Sequence, residues 1–147
     1  MSNAATLSPA MIARLLRPKS VAVVGASDKP GALGASVLGN LDRNGFAGEV
    51  YPINPNRDMI GARECLASVE QLPEGVDVAV LAIPQPAVLD AVRGLAARKC
   101  GAAIIFASGF AEGGEEGLAQ QAEIARIAAE SGMVIEGPNC LGPVNHV

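Results

Sequence analysis

The chain has 147 residues, of which half are apolar, and a formal net charge of −4. This length supports one domain with a sizeable core, and the lack of clustered Lys and Arg argues against a nucleic-acid partner. No apolar run approaches the roughly 18 residues that span a bilayer. The three cysteines have no metal-ligand spacing, and their odd number fits no closed set of disulfides, so we expect reduced thiols and a cytoplasmic location.

The first half of the chain predicts two helices and two strands. Ser8-Pro9 is typical of a helix start, and Pro18 ends this short N-terminal helix. The β-branched segment 19–24 predicts a strand, and the apolar spacing over 33–44 predicts a helix. A second strand is predicted over 49–53, so the first half has the pattern of a strand–helix–strand unit.

The second half predicts three further strands that alternate with two helices. These elements are expected at residues 76–83, 87–99, 102–106, 115–131 and 133–136. Residues 58–75 show no clear period, and 65–69 are interpreted as either a short strand or a helical turn. The alternation predicts an α/β fold of the Rossmann-like, doubly wound kind, with a parallel sheet of about five strands and helices on both faces.

The segment after the first predicted strand has the features of a phosphate-binding turn. Gly25 ends the strand, and Gly31 and Gly34 lead into a helix whose free N–H groups and dipole favour an anion. The spacing differs from the Gly-x-Gly-x-x-Gly pattern of NAD-binding proteins, since Ser27 stands at the second glycine position. Close packing of the helix against the strand is the alternative explanation for these glycines.

The end of the second predicted strand also differs from the NAD pattern. NAD-binding domains carry an acidic residue there to hold a ribose, whereas this chain continues with Asn54-Pro55-Asn56 and then Arg57. A guanidinium at this place attracts a ribose phosphate. The residues therefore predict a phosphorylated nucleotide, and leave open the 2′-phosphate of NADP and the 3′-phosphate of coenzyme A.

Five short motifs follow one another at the ends of the predicted strands. They are Val23-Val24-Gly25-Ala26-Ser27, Ile53-Asn54-Pro55, Ile83-Pro84, Ser108-Gly109-Phe110-Ala111-Glu112 and Gly137-Pro138-Asn139-Cys140-Leu141-Gly142. In this order they resemble the CoA-binding domain of the NDP-forming acyl-CoA synthetases and of the succinyl-CoA ligase α subunit. The same domain begins the related protein lysine acetyltransferases that carry an added acetyltransferase domain. The resemblance runs from about Leu15 to Asn145, nearly the whole chain.

The resemblance implies coenzyme A or an acyl-CoA as the ligand. It implies that Ser27, Asp28, Lys29 and Pro30, between Gly25 and Gly31, wrap the CoA phosphates. Arg57, beside Asn54, matches a basic position at the nucleotide end. The remaining implied contacts are Ile83 and Pro84 beside the adenine or pantetheine, Ser108, Gly109 and Phe110 near the pantetheine arm, and Asn139 and Cys140 in the turn that closes the site.

The resemblance also implies that this chain binds its ligand but does not catalyse. In the synthetases a phosphorylated histidine in the next domain relays phosphate, and His146 here lies outside every matched motif. We therefore expect no catalytic residue and no metal, and interpret Cys140 as an inert thiol. Residues 1–18 are expected to form an N-terminal helix and lead-in, and 19–147 a CoA-binding domain of a longer protein. Its partners are then the downstream ligase and nucleotide-grasp domains of that protein.

Three other hypotheses stay open. The chain is alternatively a CoA-sensing domain of a protein lysine acetyltransferase, a stand-alone CoA-binding or redox-regulatory module, or an NADP-binding domain of an oxidoreductase. The first two share the CoA site, whereas the third predicts that NADPH binds and CoA does not.

Overall fold

The structure is a computed structural model that describes residues 8–106 and 114–136. Its elements are α1 (Pro9–Leu16), β1 (Ser20–Val24), α2 (Leu33–Arg43), β2 (Glu49–Ile53), β3 (Met59–Ile60), β4 (Arg63–Glu64), a 3-10 helix (Val69–Gln71), β5 (Val78–Leu81), α3 (Gln85–Ala97), β6 (Ala102–Ile105), α4 (Glu115–Ser131) and β7 (Val134–Glu136). Every predicted strand and helix is present. Over the described ranges, no helix combines the length and apolar character needed to span a membrane.

Two predicted elements, a strand and a helix, differ from the structure by two residues at each end. The strand predicted over 76–83 forms only as Val78–Leu81. At its start, Asp77 donates its backbone N–H to the Ser20 hydroxyl instead of to a backbone carbonyl of a neighbouring strand. The helix predicted from Ala87 begins at Gln85. Its second residue is a proline, which the first turn of a helix accepts because no N–H is needed there.

The five longer strands form one parallel sheet in the order β2-β1-β5-β6-β7. The chain moves outward from β1 to β2, crosses back over β1, and then continues from β5 to β7 in the opposite direction. The order therefore reverses between β1 and β5, and in such sheets ligands bind beyond the carboxyl ends of these strands. The predicted doubly wound α/β fold is confirmed.

Side chains on each strand alternate between two apolar layers. In β1, Ala22 and Val24 face the cluster that contains Val92 of α3 and residues of α4. Val21 and Val23 face the other cluster, which includes residues of α1 and α2. The sheet is thus covered on both faces, as predicted, which explains why its strands are continuously aliphatic.

The stretch without a clear sequence period contains a two-stranded hairpin, β3–β4. Its turn is Gly61-Ala62, and Gly61 has a φ of +60°, a left-handed conformation that glycine adopts without strain. Ile60 anchors the hairpin in the same apolar cluster as α2. Residues 65–69, expected to form a short strand or a helical turn, contribute one parallel bridge between Leu66 and Ile53.

Helix α1 is attached to the opposite, amino-terminal edge of the sheet. Arg14 donates from Nε to Asp77 Oδ1 (2.7 Å) and from Nη2 to the Gly75 carbonyl (3.0 Å). The second oxygen of Asp77 accepts from the Lys19 N–H (2.8 Å). Burial raises the pKa of Asp77, but these hydrogen bonds outweigh burial and hold that pKa below its usual value. The attachment therefore depends on an ionised Asp77.

Candidate functional site

The turn after β1 packs very closely against its neighbours at the point where the strand order reverses. Gly25 has a φ of +85°, and a Cβ there would overlap the Ala82 carbonyl and lie 2.9 Å from Ile83 Cγ2. A Cβ on Gly34, in the first turn of α2, would overlap the Gly25 carbonyl. Close packing thus explains these two glycines, whereas Gly31 has open surroundings and a φ of +84° that sets the turn.

The N-terminus of α2 is suited to an anion. Its N-cap is Ala32, which offers no side-chain hydrogen bond to the first-turn N–H groups. These N–H groups and the helix dipole point toward the exposed turn before the helix and favour negative charge there. Within that turn Ser27 Oγ accepts from the Lys29 N–H (3.0 Å), which fixes the local backbone. Asp28, Lys29 and Pro30 are exposed.

The loop after β2 is tied to this turn by several hydrogen bonds. Asn54 donates from Nδ2 to the Ala26 carbonyl (2.9 Å), and its Oδ1 accepts from the Asn56 N–H (2.8 Å). The N–H groups of Gly25 and Ala26 both donate to the Ile53 carbonyl (3.1 Å each). Asn54, which the resemblance implies as a ligand contact, therefore uses its amide within the protein to hold the two loops together.

Arg57 and Asp28, which both carry implied roles in ligand binding, contact each other. Arg57 Nη2 lies 2.6 Å from Asp28 Oδ1, and their side chains are 42% and 45% exposed. The ion pair places the guanidinium above the turn after β1. A guanidinium has five N–H donors, so Arg57 retains capacity for a phosphate. Sequence reasoning missed this pair because 29 residues separate its members in two loops.

A groove of about 580 Å³ begins at the same turn and runs between α2 and the β3–β4 hairpin. Ser27 and Asp28 lie at one end, and Asp42 and Arg63 at the other. Arg63 binds both carboxylate oxygens of Asp42, at 2.8 and 3.3 Å, and fixes the hairpin to the helix. This hydrogen bonding lowers the pKa of Asp42 and raises the pKa of Arg63. The groove could not be predicted from the sequence because residues 58–75, which contain the hairpin, show no clear apolar period.

The other predicted contacts divide between described and undescribed parts of the chain. Ile83 is half-buried beside Gly25 and packs on the core, while Pro84 is exposed as the N-cap of α3. Both follow β5 at the same edge of the sheet as the turn. The remaining predicted residues, Ser108, Gly109, Phe110, Asn139 and Cys140, lie outside the described residues.

The two described cysteines, Cys65 and Cys100, are packing residues. Cys100 is buried and donates from Sγ to the Ala102 carbonyl (3.2 Å). Burial raises the pKa of the Cys100 thiol to about 11 and also raises the pKa of the half-buried Cys65 thiol. Since the thiolate is the reactive form, neither group is suited to nucleophilic work near neutral pH.

Residues 19–146 match the family model described as the CoA binding domain. The chain belongs to this CoA-binding domain family. It is 60% identical over 136 residues to a trans-feruloyl-CoA synthase from an unknown prokaryotic organism, covering 92% of this chain and 19% of the relative. It is 40% identical over 131 residues to the ADP-forming acetate–CoA ligase II of Archaeoglobus fulgidus, covering 89% of this chain and 20% of that protein.

A solved structure is also similar to this CoA-binding domain in fold and in sequence. The dinucleotide-forming acetyl-coenzyme A synthetase 1 of Ca. Korarchaeum cryptofilum, in complex with phosphate and ADP, matches with a TM-score of 0.82 at 39% identity. The match covers 89% of this chain and 28% of that one. The chain spans about a fifth of the length of the two curated relatives. The predicted family and coenzyme A as its ligand are confirmed, and the uncapped α2 and Arg57 fit the phosphates of such a ligand.

Proposed function

We propose that this domain supplies the CoA site of an ADP-forming acyl-CoA synthetase, while other domains of the parent protein carry out phosphoryl transfer. The observation that carries the proposal is the juxtaposition of two anion-binding features at one edge of the sheet. The N-terminus of α2 has no side-chain cap, and Asp28 holds Arg57 above the turn that leads into it. Together they suit a ligand with separate diphosphate and ribose phosphate groups.

The comparison with relatives supports CoA recognition as the part played by this domain. The two curated relatives are named for a feruloyl-CoA product and for acetate, yet both share this region with the chain. Their names differ in the acyl group and have CoA in common. We therefore assign CoA recognition to the domain and acyl selection to other parts of the parent protein.

The proposed contacts follow the edge of the sheet from β1 to β5. The turn between Gly25 and Gly31 wraps the diphosphate, and Arg57 receives the ribose phosphate. Asn54 holds the loop of Arg57 against that turn, and Ile83 and Pro84 form an apolar wall beside the ligand. Bound CoA supplies the thiol that accepts the acyl group. Ser108, Gly109, Phe110, Asn139 and Cys140 complete the proposed set.

The proposal extends to the organisation of the parent protein. Residues 19–147 are the CoA-binding domain, preceded by the segment 1–18, and the partners are downstream ligase and nucleotide-grasp domains. The chain spans only about a fifth of the length of these relatives, which supports the proposal that the parent protein has further domains. Cytoplasmic location is part of the proposal and is supported by the free thiols of Cys65 and Cys100.

Calorimetric titration with CoA, acetyl-CoA, NADPH and ADP at one ionic strength tests this function. We expect CoA and acetyl-CoA to bind and NADPH to give no heat of binding. Binding of NADPH with no binding of either CoA species would refute the proposal and favour the oxidoreductase hypothesis. In the parent protein, CoA-dependent formation of ADP from ATP distinguishes the synthetase from an acetyltransferase.

A further inference from the structure

We infer that Asn44 is a site of spontaneous deamidation, and that the glycine cap at the end of α2 controls the rate of this reaction. Asn44 is the one asparagine of the sequence that a glycine follows directly. Both Asn44 and Gly45 are exposed, so water reaches them. The inference concerns a covalent change of the chain itself and does not depend on which ligand the domain binds.

The reaction needs only this pair of residues and water. The Gly45 backbone nitrogen loses its proton and attacks Asn44 Cγ, so that a new C–N bond closes a succinimide ring. The side-chain nitrogen of Asn44 takes up a proton and leaves as ammonia. Water then opens the ring at either of its two carbonyl carbons, which gives aspartate or isoaspartate. Glycine permits the attack because it has no Cβ, and a Cβ built on Gly45 would meet no atom within 4 Å, so the ring has open space around it.

The structure holds the attacking nitrogen in a helix cap. Gly45 has a φ of +65°, and its N–H donates to the Asp42 carbonyl (3.2 Å). The Phe46 N–H donates to the Leu41 carbonyl (3.0 Å). A left-handed glycine with these two hydrogen bonds is the Schellman motif, which ends many helices. Leu41 and Phe46 pack against the same apolar cluster, and this packing keeps the cap closed.

The conformation of Asn44 also keeps the two reacting atoms apart. Its ψ is 4°, so the Gly45 nitrogen nearly eclipses the backbone nitrogen of Asn44, whereas ring closure requires it to eclipse Cβ. The Asn44 side chain is held as well, since Nδ2 donates to the Asn40 carbonyl (2.8 Å). The cap must therefore open before the ring forms, and helix ends open more readily than the rest of a fold.

Both products weaken the end of α2. Aspartate lacks the N–H donor that bonds the Asn40 carbonyl, and the negative end of the helix dipole repels its charge. Isoaspartate adds one backbone atom before Gly45, which moves the N–H groups of Gly45 and Phe46 away from their acceptors. Because Asp42 lies in the same turn and binds Arg63, deamidation also loosens the contact between α2 and the β3–β4 hairpin.

The test follows residue 44 by peptide mass spectrometry while the chain is kept at mildly alkaline pH. Enzymatic methylation of isoaspartate with S-adenosylmethionine identifies that product. We expect Asn44 to deamidate at least tenfold more slowly in the folded chain than in the same chain unfolded in urea. Asn40 is the matched control, because it is exposed on the same helix and is followed by leucine, and it should stay unchanged in both states.

Two variants separate opening of the cap from unfolding of the whole chain. Phe46→Ala removes the apolar packing that keeps the cap closed and should speed deamidation of the folded chain at least threefold. Arg14→Ala acts on the attachment of α1 and should leave the rate unchanged. Phe46→Leu keeps part of the packing and should give an intermediate rate, so it replaces Phe46→Ala if that variant does not fold.

Three results would overturn the inference. Rates at Asn44 no higher than at Asn40 in the unfolded chain would show that residue 44 is not a deamidation site. Equal rates at Asn44 in the folded and unfolded chain would show that the cap does not control the reaction. An unchanged rate in Phe46→Ala, or equal acceleration by Phe46→Ala and Arg14→Ala, would also reject control by the cap. Failure of the domain to bind CoA would overturn the proposed function and leave this inference standing.

Discussion

The ion pair between Asp28 and Arg57 affects how much Arg57 contributes to the free energy of CoA binding. A hydrogen bond between a guanidinium and a phosphate contributes about 1.5–3 kcal/mol. The existing pair joins two side chains that are 42% and 45% exposed, and exposed pairs contribute roughly 0.2–1 kcal/mol. Since the phosphate must share Arg57 with Asp28 or displace it, the net contribution of Arg57 to binding is about 1–2 kcal/mol. We expect Arg57→Ala to weaken CoA binding by about 5- to 30-fold.

The opposite effect is expected for Asp28→Asn. This substitution removes a negative charge that competes for Arg57, so it should tighten CoA binding by about two- to fivefold. The double variant should behave like Arg57→Ala, because Asp28 acts through Arg57. Calorimetric titration with CoA and with 3′-dephospho-CoA checks each point, and Arg57→Ala should weaken binding of CoA more than binding of the dephosphorylated ligand. Equal losses for both ligands would remove Arg57 from the ribose phosphate site.

Four further predictions concern stability and reactivity. Gly34→Ala forces a Cβ into the Gly25 carbonyl and should lower the free energy of unfolding by about 1–3 kcal/mol, whereas Gly39→Ala, in open space, should not lower it. Arg14→Ala removes the hydrogen bonds that attach α1. It should lower the free energy of unfolding by about 1–2 kcal/mol, as measured by urea denaturation. Because the pKa of Asp77 is lower in the folded chain, its contribution to stability is complete above the ordinary aspartate value of about 3.9 and is lost as the pH falls through the folded pKa. Cys100, whose pKa burial raises to about 11, should react with iodoacetamide only after unfolding, as followed by peptide mass spectrometry.

Two of these predictions have a control variant, and the other two have a result that would contradict them. Gly39→Ala serves for Gly34→Ala, and equal destabilisation by both would reject the packing explanation. Arg17 is exposed at the C-cap of α1, so Arg17→Ala should leave stability unchanged. Below about pH 4, the free energy of unfolding of the Arg14→Ala variant should depend less on pH than that of the wild-type chain. An equal pH dependence in both chains would contradict the role given to Asp77. Labelling of Cys100 in the folded chain at the rate of the unfolded chain would show that its burial is transient.

Much of the fold could be predicted because its strands and helices carry strong local signals. Helix α4 has the predicted bounds, since acidic residues begin it and Gly132 ends it in a left-handed conformation. The strands read as aliphatic runs because both faces of the sheet are covered by helices. The turn after β1 was located by its glycines, although packing accounts for Gly25 and Gly34.

The parts that could not be predicted depend on contacts between distant residues. Arg63 and Asp42 are 21 residues apart in sequence, and their contact fixes the β3–β4 hairpin. Arg14 and Asp77 are 63 residues apart, and their contact attaches α1 to the sheet. Charged side chains give no periodic signal, so only the folded chain shows which of them pair.

The most direct test of the CoA site is a two-dimensional NMR titration of the isotope-labelled chain with CoA. Glycine amides lie at both edges of the sheet: Gly25 and Gly31 follow β1, whereas Gly75 and Gly132 precede β5 and β7. We predict that the signals of Gly25, Gly31 and Arg57 shift as CoA is added, while those of Gly75 and Gly132 stay in place. Shifts confined to Gly75 and Gly132, or no shift at any of these residues, would contradict a CoA site at the carboxyl ends of β1, β2 and β5.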